Sequence, residues 1–151
     1  MQMDPPDHAS CWLVDEDLFH WIARINGPDA TPYAGGHFML DVRLPPDYPH
    51  KPPSVRFRTR IYHPNILWRG GGIEFYELNT GWSPALTISR VLLRIVELLC
   101  EPNVEQPLVW AIARQYLHNR DAFNREAQRR THAFAMGEDS VVLQQAIPSL
   151  F

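Results

Sequence analysis

The side chains with the most chemical potential lie between positions 61 and 86, in the stretch IYHPNILWRGGGIEFYELNTGWSPAL. His63-Pro64-Asn65 is a rigid polar tripeptide, because proline fixes its own backbone and pushes His63 toward an extended conformation. An imidazole and a carboxamide held this way can hydrogen-bond neighbouring backbone and keep a loop shut, and that structural role is the reading the residues favour. Glu74 follows Gly70-Gly71-Gly72 and Ile73; taken by itself it is a solvated acid beside a loop. The triple glycine lacks the Lys and Ser or Thr that complete a phosphate loop, so a nucleotide site has little support. Cys100 ends an apolar helical pattern and reads as an inert core thiol, and Cys11 has no basic neighbour to lower its pKa. The seven histidines include no HxxxH or HExxH arrangement and the two cysteines have no CxxC spacing. No metal site and no cofactor are expected.

Regular elements must flank that stretch to position it. Residues 1–17 show no periodicity and hold Pro5-Pro6 and several acids, so they read as an irregular lead-in. Residues 18–25 alternate Phe19, Trp21, Ala23 and Ile25 against His20, Ile22 and Arg24, the pattern of a half-buried strand closed by Asn26-Gly27-Pro28. After a turn-rich link over 31–36, Phe38, Leu40, Val42 and Leu44 recur at period two, and Val55 and Phe57 mark a third strand beyond a proline-stiffened loop. Short connections favour an antiparallel meander. Thr87 can cap a helix whose Ile88, Val91, Leu92, Ile95, Leu98 and Leu99 form one stripe, with Arg90, Arg94 and Glu97 opposite; this helix should cover the sheet. Pro107 should start a second helix through Leu108, Ile112 and Tyr116, and residues 121–134 a third, with arginines on its wet face.

Composition excludes several classes. A chain of 151 residues with 45% apolar and 11% aromatic content holds one domain with a real core. Its net charge of −3 gives no general attraction to nucleic acid or anionic lipid, and no apolar run spans a bilayer, so neither is expected as a partner. Two cysteines make no disulfide framework and no secretory leader is recognisable, which points to cytosol or nucleus.

Four motifs, Tyr33-Ala34-Gly35-Gly36, Asp47-Tyr48-Pro49-His50-Lys51-Pro52-Pro53, Tyr62-His63-Pro64-Asn65 and Trp82-Ser83-Pro84-Ala85-Leu86, occur in the order and near the spacing of the ubiquitin-conjugating enzymes. The chain resembles that family from about position 4 to 136, and within it the small single-domain type that partners many RING ligases. The resemblance implies an α+β ubiquitin-conjugating enzyme fold, an antiparallel meander with packed helices, over a core domain of residues 1–136 followed by a tail, 137–151. Family members carry an amphipathic helix before the Asp-Pro-Pro segment, which docks the activating enzyme; only three residues precede the matching Asp4, so this N-terminal helix is expected to be missing. Loss of its buried side chains has to be offset, and the apolar tail, with Leu143, Ile147 and Leu150, is the segment expected to cover the exposed surface.

One position departs from the family pattern. Where the family has a cysteine in a G-x-I-C-L context, this chain reads Gly71-Gly72-Ile73-Glu74-Phe75, and one extra residue in 67–72 brings the Trp82 motif into register as well. A thiolate attacks and leaves readily and holds ubiquitin as a thioester, whereas a carboxylate is a weak nucleophile whose acyl anhydride is lost to water. No catalytic residue is therefore expected, although His63, Pro64 and Asn65 are retained, Asn65 matching the residue that orders the loop and supports the oxyanion in the family. Tyr76 and Gln106 stand where relatives often place acids that orient the incoming lysine. The resemblance also implies a ligase-binding patch at His50, Lys51, Ser83, Pro84 and Ala85, with His50 replacing a large apolar side chain, and a noncovalent ubiquitin site at Ser10. The expected protein is a noncatalytic variant that binds ubiquitin, a RING or U-box ligase, or an active conjugating enzyme. The alternatives are a conjugating enzyme with residual or unconventional transfer activity and a decayed, truncated gene product. By the same reasoning, Glu74→Cys alone is not expected to restore charging with ubiquitin.

Overall fold

Apolar residues at every second position build the sheet. In the computed structural model, which describes residues 9–137, strands β1 (Ala9–Val14), β2 (Asp17–Asn26), β3 (His37–Arg43) and β4 (Ser54–Phe57) form one sheet in the order β1-β2-β3-β4. Every neighbouring pair is antiparallel, so the described sheet is a meander. Trp21, Ala23 and Ile25 of β2, Phe38, Leu40 and Val42 of β3, and Val55 and Phe57 of β4 enter one buried cluster. The chain connects the strands through turns that the sequence places correctly: in the 31–36 link, Thr31 Oγ1 donates to the Pro28 carbonyl and the Gly36 amide to the Tyr33 carbonyl.

The lead-in is not irregular throughout, since Ala9–Val14 pairs with β2 as an edge strand. Alternation is hidden there because both faces are apolar. Cys11 and Leu13 pack on the main core, while Trp12 packs with Val14, Ile22 and Met39 in a smaller cluster on the sheet's outer face. The outer face of β2 is thus less wet than the period-two pattern suggests: Ile22 is fully buried and His20 nearly so.

Helix α1 (Ile88–Cys100) starts where Thr87 Oγ1 accepts the Arg90 amide, and its stripe of Ile88, Val91, Leu92, Ile95, Leu98 and Leu99 joins the sheet's core. Burial of such a side chain is worth roughly 1.5–3 kcal/mol, so this face anchors the helix across the sheet. Helix α2 (Trp110–His118) begins later than Pro107. The amides of Leu108 and Val109 both donate to the Pro64 carbonyl, at 2.9 Å each, which ties this segment to the central loop, and Val109 is still extended at φ −122° and ψ 96°, so the helical turn begins at Trp110. Helix α3 (Arg120–Phe134) is capped by Asn119, whose side chain accepts the Ala122 amide. No described helix is long and apolar enough to cross a membrane. The expectations that the N-terminal helix is missing and that the tail covers the exposed surface concern positions outside the described residues.

Candidate functional site

The His63-Pro64-Asn65 tripeptide fastens the loop that follows β4 to the end of α1 and the segment after it. His63 is fully buried, its Nε2 donates to the Leu98 carbonyl at 2.7 Å, and its Nδ1 accepts the Asn65 amide at 3.0 Å. Burial depresses its pKa to about 4, against the opposing pull of the Leu98 carbonyl, so the ring is neutral near pH 7 with its proton on Nε2. Asn65, 2% exposed, pairs both ends of its amide with one residue: Nδ2 donates to the Asn103 carbonyl at 2.8 Å and Oδ1 accepts the Asn103 amide at 2.9 Å. Asn103 in turn accepts the amides of Glu105 and Gln106 through its own Oδ1. Three consecutive residues, His63, Pro64 and Asn65, therefore fix α1's end and the 103–109 segment through side chain, carbonyl and side chain respectively.

The glycines close the next turn. The Leu67 amide donates to the Gly72 carbonyl at 2.9 Å, and Gly71, at φ +67°, lies so close to β4 that a Cβ there would sit 1.8 Å from the Phe57 carbonyl oxygen. Only glycine fits at that place. The returning strand segment bridges Ile73 to Ile66, which is itself bridged to His63, and so sets Glu74 directly after a pinned residue. Glu74 is exposed and makes no hydrogen bond or ion pair with the described residues.

Glu74 lines a cleft of about 460 Å³ together with Tyr76, Asn103, Gln106 and Trp110. Its walls join the 74–80 segment to the 103–110 segment that the tripeptide fastens, so the loop clamp and the cleft are one construction. Tyr76 and Gln106 both line this cleft. Trp110, 60% exposed, and Arg94, which bridges Glu77 and Glu97, also border it and were not signalled by any motif. Their only sequence trace is a large aromatic at the start of an amphipathic helix and a charge on α1's wet face.

The two halves of the expected ligase patch do come together. Trp82 Nε1 donates to the Pro49 carbonyl at 2.9 Å and its ring lies 6.0 Å from that of Tyr48, tilted by 41°, which ties the 47–53 loop to the turn preceding α1. His50, Lys51, Ser83, Pro84 and Ala85 are all exposed; Lys51 pairs with Asp47 at 3.4 Å, and Ser83 Oγ accepts the Ala85 amide at 3.3 Å. Ser10 is remote from both cleft and patch in the chain's architecture: it lies on the edge strand β1 opposite Arg24, on the sheet face away from α1.

Neither cysteine lines the Glu74 cleft. Cys100 is exposed instead of buried, because the last helical position falls outside the apolar stripe, and it borders a separate pocket of about 140 Å³ with Tyr33 and Tyr116. Partial burial and the Glu97 carboxylate raise its pKa, and burial raises that of Cys11, so both thiols hold their protons more firmly than a free cysteine. Among the described residues no three His, Cys, Asp or Glu side chains gather in a group able to hold a metal.

Comparison with known proteins agrees with this geometry. The family model described as ubiquitin-conjugating enzyme matches residues 1–131. A ubiquitin-conjugating enzyme E2 domain of Toxoplasma gondii superposes with a TM-score of 0.81 at 41% identity, over 85% of this chain and 89% of its own. A candidate ubiquitin-conjugating enzyme from Plasmodium yoelii does so with the same score and identity, over 86% and 84%. With the four motifs set on the matching sheet, helices and central loop, the chain belongs to the ubiquitin-conjugating enzyme family.

Proposed function

We propose that this member of the family is a noncatalytic variant, which works in the cytosol or nucleus by binding ubiquitin, a RING or U-box ligase, or an active conjugating enzyme. The observation that carries the reading is Glu74. By the family pattern Glu74 stands where the thioester cysteine belongs, and the Ile66–Ile73 bridge, which holds the residue just before it, supports that alignment of a carboxylate with the thiolate position. An anhydride formed there would be lost to water before an amine arrived. Tyr76 and Gln106 in the same cleft remove the acids that would orient and deprotonate an incoming lysine. Full engagement of both ends of the Asn65 amide with Asn103 supports a structural role for the retained tripeptide.

Binding is the better-supplied half of the family's equipment. The exposed Ser83-Pro84-Ala85 turn and the His50-Lys51 loop, tied by Trp82, form a surface for a ligase, with His50 altering the choice of partner. Ser10 offers a contact for ubiquitin on the outer sheet face. The test is a charging reaction with ubiquitin, activating enzyme and ATP, run beside titrations of the labelled protein with ubiquitin, a RING domain and an active conjugating enzyme. No adduct together with saturable binding to one of the three is expected. A thiol-sensitive ubiquitin adduct would overturn the noncatalytic reading.

A further inference from the structure

A second concave site lies at the opposite edge of the sheet from Ser10. Between β4 and the glycine loop, a cleft of about 350 Å³ is lined by Arg56, Arg58, Arg60, Trp68, Gly70 and Gly71. That volume is in the range of about 300–1,000 Å³ typical of ligand pockets. It shares no lining residue with the Glu74 cleft, and two strands, β2 and β3, lie between β4 and β1. All three titratable side chains in its lining are arginines, in a chain whose net charge is −3.

The charges there are only partly spent. Asp41, 2% exposed, is paired with the lining Arg58, and it serves His20, Arg43 and Arg58 at once. Burial alone would raise its pKa, but hydrogen bonds from those three partners hold its carboxyl below the usual value, so it is ionised and fully committed. Arg56 and Arg60 are exposed and form no ion pair with a described residue; Arg60 lies 5.8 Å from the ring centres of both Trp68 and Phe134, which hold it over the cleft. Gly70 has open space where a Cβ would be, so a ligand backbone can approach the loop closely.

We infer that the Arg56–Arg58–Arg60 cleft is a docking site for a clustered-acid segment of a partner protein. Arg56, Arg58 and Arg60 line one cleft from β4 through the bend that follows it, so a segment carrying several acids close together can meet them with charge-assisted contacts. Recognition runs through side chains, because the outer edge of β4 is already occupied: the Phe57 amide donates to the Gly71 carbonyl and Arg56 bridges Gly72. A nucleic acid fits less well. The Trp68 ring is taken by Arg60, by Arg130 at 4.5 Å and by a T-shaped contact with Phe134, which leaves no open platform for a base, and the chain's net charge opposes a long phosphodiester.

The experiment is fluorescence anisotropy on the full chain with a short labelled peptide carrying several Asp or Glu close together, the same peptide with phosphoserines, and its Asn/Gln counterpart. Binding of either acidic peptide, weakened by added salt and absent for the neutral one, is the expected result, and the first two arms tell carboxylate from phosphate recognition. Arg56→Glu/Arg60→Glu should weaken it by at least about tenfold, each charge-assisted contact being worth that much. Arg114→Glu/Arg125→Glu, the same change of net charge on exposed helix positions, should leave affinity unchanged, and Arg56→Lys/Arg60→Lys should retain most of it. Equal loss in the two Glu double variants, equal binding of the neutral peptide, or preference for a single-stranded oligonucleotide would each overturn the inference.

Discussion

Replacing Asn65 by alanine removes the amide that holds both backbone groups of Asn103, at 2.8 and 2.9 Å, across 38 residues of sequence. Asn65 is buried but Asn103 is exposed, so the freed amide and carbonyl of Asn103 can regain water and the cost is close to the net worth of two hydrogen bonds, about 2 kcal/mol. For a chain of this length that corresponds to a fall in melting temperature of about 4–8 °C. Asn65→Asp keeps the acceptor for the Asn103 amide but turns a carboxylate oxygen toward the Asn103 carbonyl inside a buried site, so it should cost more than alanine. Thermal unfolding followed by circular dichroism or calorimetry measures both. An Asn65 whose role were to support an oxyanion in transfer would leave stability untouched. Melting of both variants within about 2 °C of the wild type would refute the clamp, and with it the structural account of why the tripeptide is present beside Glu74.

Three further outcomes follow from the same loops. Gly71→Ala should destabilise by at least about 3 kcal/mol in urea unfolding, because the positive φ and the Phe57 carbonyl oxygen at 1.8 Å leave no room for a methyl group; a variant with wild-type stability would contradict the close approach. His63 is a base whose folded pKa, about 4, lies below its ordinary value of roughly 6.5, so the unfolded chain takes up the proton first. Its contribution is complete above that ordinary value and is lost as pH falls toward 4, up to about 3 kcal/mol; stability that stays flat between about pH 7 and 5 would rule this out. His50→Phe should tighten binding to a RING domain by about 2 kcal/mol if the exposed loop beside Trp82 is a ligase contact, read by titration calorimetry, and no change would remove that loop from the interface.

The elements that the sequence reveals are those whose signal is local. β2, β3 and β4 each carry apolar residues at period two toward one shared core, and α1 carries its cap and its stripe within thirteen residues, so their bounds can be read directly. β1 escapes because Cys11, Trp12, Leu13 and Val14 are apolar on both faces: two different clusters claim them, and no alternation survives. The start of α2 escapes for another reason: Pro107 is a good first helical residue, but the segment through Val109 is tied to the distant Pro64 carbonyl with Val109 extended, and the helix begins at Trp110.

The site divides in the same way. Glu74, Tyr76 and Gln106 are visible one by one against the family pattern, but that they face one cleft follows from the Asn65–Asn103 pairing, which no spacing announces. The basic cleft is hidden more thoroughly. A chain with net charge −3 gives no hint that Arg56, Arg58 and Arg60 meet without an acid in the cleft's lining, because Asp41, which pairs with Arg58, arrives from β3 and is shared with two other bases. Net charge averages over the surface, whereas a partner feels the local field within about 8–10 Å. For this reason the average that correctly discounts general attraction to nucleic acid carries no information about a short acidic segment at the β4 edge.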